Sequence, residues 1–83
     1  MTTEALLRLY GRTYCHLCDD MLAALEALRR EFSFTVEVVD VDADPALVAK
    51  YDELVPVLEA GGRELCHYFL DAAKVREYLA AFR

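Results

Sequence analysis

From Leu6 to Tyr10 the chain is apolar at every position except Arg8, a density that predicts a first strand buried on both faces. The spacing then changes. From Cys15 to about Glu31 the apolar positions are Cys18, Met21, Leu22, Leu25 and Leu28, continued by Phe32, which is the three-and-four spacing of one helix face. Asp19 and Asp20 in the first turn and Arg29 and Arg30 in the last match the helix macrodipole. Thr35–Val41 is β-branched and reads as a second strand. Strand, helix, strand in this short span implies parallel pairing through a right-handed crossover. Asp44 and Pro45 are an N-cap and a first helical residue, opening a short helix to about Asp52. Val55–Ala60 and Arg63–Cys66 read as a hairpin around the Gly61-Gly62 turn. Asp71 then caps a last helix whose apolar face is Val75, Tyr78, Leu79 and Phe82. The expected order is β-α-β-α-β-β-α, an α/β chain without repeats or linkers.

The 83 residues allow one domain, 1–83. A hydrophobic content of 57% with only 3 Gly and 2 Pro argues against any long disordered segment. The formal net charge is −6, from 15 acidic and 9 basic residues, which argues against a nucleic-acid partner, since phosphate contacts need clustered cations. No stretch approaches the ~20 apolar residues of a membrane span, and Met1-Thr2-Thr3-Glu4 lacks the basic start of a secretion signal. The odd count of 3 Cys does not suit a disulfide-stapled secreted scaffold. A reducing cytoplasm is the expected location, and a monomer the expected state.

The candidate chemistry sits in Cys15-His16-Leu17-Cys18, between the first strand and the first helix. Thiols at i and i+3 can close a small disulfide ring where the chain turns tightly. A strand-to-helix junction also aims free backbone N–H groups at the first sulfur. An ordinary cysteine is only about 3% thiolate at pH 7, so a helix N-terminus matters to its reactivity. Cys15, at the helix start, is expected to attack, and Cys18, one turn in, to resolve. Arg12 and a protonated His16 favour the thiolate; Asp19 and Asp20 oppose it. Val55-Pro56 begins a strand, where a proline is tolerated and where a cis peptide bond is allowed.

The CxxC at a strand–helix junction, the βαβ unit, Val-Pro before a hairpin and a closing helix together resemble a glutaredoxin. More narrowly, the chain resembles small bacterial glutaredoxin-like proteins carrying Cys-His-Leu-Cys-Asp, over about Leu6 to Phe82. Gly11–Cys18 stands where that family has its active-site turn, and Leu54-Val55-Pro56 where it has its cis-proline loop. The resemblance implies a thioredoxin fold, a four-stranded mixed sheet with helices on both faces. It implies that Cys15 attacks disulfides, that Cys18 resolves the mixed disulfide, and that the Val55 backbone pairs with a bound peptide or glutathione strand. The chain departs from the family in having His-Leu between the cysteines instead of Pro-Tyr. Cys66 and His67 stand in place of a Gly-Gly and crowd the position of the glutathione γ-glutamyl group.

A dithiol–disulfide oxidoreductase is therefore expected, without a bound cofactor or metal. Its partners would be protein or low-molecular-weight disulfides, glutathione being one candidate. The site residues are Cys15 and Cys18, with Arg12, Tyr14, His16, Val55, Pro56, Cys66 and His67 around them. Two readings from other classes stand beside it: a metal or iron–sulfur module, and a redox-inactive adaptor that binds a partner strand at Val55-Pro56. Cys66 is ordinarily a small apolar residue at a strand end; a third redox thiol or a ligand is the alternative. Tyr14 either covers the thiols, contacts a partner or simply packs. Asp40, Asp42 and Asp44 lack the glycine and glutamate of a calcium loop and read as strand-end and cap residues.

Overall fold

Four strands form, because four short segments combine apolar alternation with turn residues at their ends. The computed structural model describes residues 4–82. The strands are β1 (Ala5–Gly11), β2 (Phe34–Asp40), β3 (Val57–Ala60) and β4 (Arg63–His67). The helices are α1 (His16–Leu28), α2 (Pro45–Tyr51) and α3 (Ala72–Ala81). The sheet order is β2-β1-β3-β4, with β1 parallel to β2 and both other pairs antiparallel. This is the thioredoxin arrangement, a mixed sheet with helices on both faces.

Period-two alternation in β1 and β3 divides the core between the two faces. Leu7, Leu9 and Leu58 join Met21 and Leu25 of α1 and Val75 and Leu79 of α3 in the larger cluster. Leu7, Leu9, Leu25 and Leu58 are at most 2% exposed, each contributing about 1.5–3 kcal/mol by leaving water. Tyr10 and Val57 point to the opposite face and pack with Val41 and with Tyr51 of α2. Asp44 and Asp71 are the N-caps of α2 and α3, their carboxylates accepting from Ala46 and Lys74 N–H. Gly61 and Gly62 both have positive φ, 60° and 79°, the conformation a two-residue hairpin turn needs.

Four expectations need correction. β3 starts at Val57, so Val55 and Pro56 precede the strand instead of opening it. β1 is not buried on both faces: Leu6 is 38% exposed, and Arg8 lies 3.6 Å from both Glu37 and Glu59. The seven-residue α2 is too short to cover that end of the sheet, so ion pairs occupy it instead. The first helix stops at Leu28, ahead of Arg29 and Arg30, and Asp19 is the acidic residue of its first turn. Arg29 turns back to Glu26 and to the Phe34 carbonyl, which ends the helix by joining it to β2. Val41 leaves the second strand for a 3-10 turn, Val41–Ala43, capped by Asp40. Its side chain is buried in the α2-side cluster, which accounts for its apolar character outside a strand.

Candidate active site

Strand register assembles the site. Tyr10 pairs with Val57, and Val57 with His67, so the residues just beyond each pair share one end of the sheet. Those residues are the Gly11–Cys15 turn, the Val55-Pro56 loop and the turn after β4.

At the first of these, Tyr14 adopts φ 60°, a left-handed conformation that swings the chain from strand to helix. Cys15 follows as the N-cap of α1, in extended conformation, and its sulfur accepts the Cys18 N–H at 3.0 Å. The Asp19 N–H donates to the Cys15 carbonyl at 3.1 Å, closing the first turn beneath it. Cys15 and Cys18 are disulfide-bonded, their Cα atoms 5.2 Å apart. Cys15 is half-buried and Cys18 buried, as their position before and on the apolar face of α1 dictates. When the bond is reduced, a Cys15 thiolate lies at the positive end of a thirteen-residue helix with an N–H already directed at it.

Arg12 does not act as an unpaired cation beside the thiols. Its guanidinium is 2.8 Å from Asp52 and 3.1 Å from Asp42, tying the active-site turn to the segment around α2. The hydrogen bond to Asp52, with neighbouring carboxylates, raises its pKa further above the ordinary value. Its charge is thus shared with two carboxylates. His16 is exposed at the first helical position. Tyr14 is 99% exposed, so it neither covers the thiols nor packs.

The Val55-Pro56 peptide is cis, and Pro56 is buried. The Val55 N–H donates to the Tyr51 carbonyl at 3.2 Å, at the end of α2. Of the two backbone groups expected to pair with a partner strand, one is therefore engaged within the chain. Tyr68, to which sequence reasoning assigned no role, supports this loop from the far side. Its N–H donates to the Pro56 carbonyl at 2.9 Å and its hydroxyl to the Glu53 carbonyl at 2.6 Å, at a φ of 65°. Nothing in the local pattern announces it, because the bonds span separate loops.

Cys66 faces the core with Leu58 and Val75. Burial raises its thiol pKa, only partly countered by a hydrogen bond from the Asp71 backbone. That favours the ordinary reading, a small apolar residue. His67 is exposed, with Nδ1 2.8 Å from Glu64 and its ring edge-on to Tyr68. Among the described residues no three His, Cys, Asp or Glu side chains are disposed to hold a metal ion. Asp40 and Asp44 are caps, as expected, while Asp42 is engaged by Arg12.

The sequence matches the glutaredoxin-like domain family (DUF836) over residues 6–80. The chain belongs to that family. It is similar to protein Ne2328 from Nitrosomonas europaea, at 41% identity, over 95% of each chain, with a TM-score of 0.87. It is also similar to protein XcR50 from X. campestris, at 42% identity, over 93% of this chain and 99% of that one, with a TM-score of 0.69. Thioredoxin 1 from Thermosipho africanus shares the fold at 20% identity, over 90% of this chain and 94% of that one, with a TM-score of 0.60. No curated protein matches the sequence. Family, fold and the Cys15–Cys18 pair together support a redox role. No helix among the described residues is long and apolar enough to cross a membrane.

Proposed function

We propose that the protein is a thiol–disulfide oxidoreductase in which Cys15 is the nucleophile and Cys18 the resolving thiol. The observation that carries this reading is the Cys15 sulfur at the N-cap of α1, accepting the Cys18 N–H and bonded to the Cys18 sulfur. An anion at that point gains from the helix dipole, and its partner thiol is one turn away.

In the reducing direction, the Cys15 thiolate attacks one sulfur of a substrate disulfide. That S–S bond breaks, and the departing thiolate takes a proton from water. Cys18 then loses its proton and attacks the Cys15 sulfur, expelling the second substrate thiol. Two electrons pass to the substrate, and the protein is left with the Cys15–Cys18 bond. A low-molecular-weight thiol or a dithiol reductase returns it to the reduced form. A lowered pKa helps chiefly by making Cys15 a good leaving group in the second step, because nucleophilicity falls as pKa falls. The exchange calls for no bound cofactor.

Protein or low-molecular-weight disulfides are the proposed partners, with the Val55 carbonyl and the surface around Pro56 receiving them. The test is a pair of variants. Cys15→Ser abolishes disulfide reduction, and Cys18→Ser stalls as a mixed disulfide visible as an adduct by intact mass. Full turnover in Cys15→Ser overturns the assignment.

A further inference from the structure

Beside the disulfide lies a groove of about 230 Å³ whose lining includes Leu9, Gly11, Leu22, Val38 and Cys18. Val38 is 62% exposed on its outer wall, on the sheet-edge strand β2. An apolar side chain there is otherwise left to solvent. Asp19 and Asp40 also line the groove. Its cation among the described residues, Arg12, is engaged by Asp42 and Asp52. Four carboxylates thus face or flank the groove against one guanidinium. Across the same end of the sheet, His67 is held by Glu64, while Tyr14 and Phe69 are 99% and 70% exposed.

This surface suits a particular disulfide. Glutathione brings two carboxylates against one ammonium, a net negative charge that the Asp19 and Asp40 carboxylates lining the groove disfavour. A polypeptide segment with an apolar residue flanked by lysine or arginine is complementary on both counts: the apolar side chain fills the groove and the cations face Asp19 and Asp40. Resting on the exchange chemistry of Cys15 and Cys18, we propose that the groove beside Cys18 docks a basic, apolar segment of a partner protein, whose disulfide is the substrate in preference to glutathione. Charge complementarity acts mostly on the encounter rate, so the preference is salt-dependent.

The experiment mixes pre-reduced protein, in single turnover, with four probes. They are two cyclic peptide disulfides of identical apolar sequence, one flanked by lysines and one by glutamates, glutathione disulfide, and the uncharged bis(2-hydroxyethyl) disulfide. The lysine peptide is expected to react about tenfold faster than the glutamate peptide at low ionic strength, with the ratio shrinking in high salt. It is also expected to outpace glutathione disulfide. In an Asp19→Asn, Asp40→Asn double variant the lysine-to-glutamate ratio falls toward one; as a ratio within one protein, it is insensitive to changes in Cys15 reactivity. Equal peptide rates, or faster reaction with glutathione disulfide, overturn the docking proposal while reduction of the uncharged disulfide leaves the exchange chemistry standing. Failure to reduce even the uncharged disulfide removes the exchange chemistry itself, and the docking proposal with it.

Discussion

Gly11 makes room for the Cys18 sulfur: a β-carbon at Gly11 would stand 2.9 Å from that sulfur. The end of β1 and the first turn of α1 approach so closely that only a residue without a side chain fits between them. Gly11→Ala is therefore expected to displace α1 or Cys18 and to destabilise the oxidised protein by about 1–3 kcal/mol, the usual cost of overpacking. Urea unfolding of the oxidised variant measures it. An unchanged midpoint would mean that the two elements slide apart at no cost.

Arg12 joins the active-site turn to the segment around α2 through Asp42 and Asp52. Arg12→Ala is expected to speed amide hydrogen exchange around Asp42 and Asp52 severalfold, because both ion pairs that hold the turn are lost. Unchanged exchange there would show that the two ion pairs do not hold the turn in place.

Most of the architecture was legible because the signals were local. The apolar face of α1, the Asp44 and Asp71 caps, the double-glycine turn and the Cys15–Cys18 spacing each lie within a few residues of chain. What escaped notice was set by distant partners. Arg12 read as a cation near a thiol, and only folding brings Asp42 and Asp52 to it. Gly11 read as a turn residue, whereas the requirement comes from a sulfur seven positions on. Leu6 read as core, but the cluster on the α2 side of the sheet gathers at Tyr10 and Val57 and leaves Leu6 38% exposed. Tyr68 bonds two backbone carbonyls, twelve and fifteen residues away in sequence, a pattern that leaves no periodic trace.

Cys66 and Tyr10 set an alkaline limit. Burial raises the pKa of the Cys66 thiol, and burial with a hydrogen bond to Glu59 raises that of Tyr10. In each case the folded state holds its proton more tightly than the unfolded chain. Stability is thus full below the unfolded pKa and lost as pH rises through the folded one. Urea midpoints should fall with pH from about 8.5, as Cys66 begins to matter, and further above about 10 with Tyr10. Cys66→Ala should flatten the first part of that decline and retain disulfide reduction. Loss of reduction in that variant would show that the third thiol takes part in exchange.

The most direct measurement is the pH dependence of alkylation of the fully reduced protein, with the modified cysteine identified by peptide mass. With the Cys15 sulfur at the start of α1 and an N–H directed at it, modification should fall first on Cys15, with an apparent pKa below about 7.5. A Cys15 thiol titrating at or above about 8.5, or Cys18 modified ahead of it, would contradict the account.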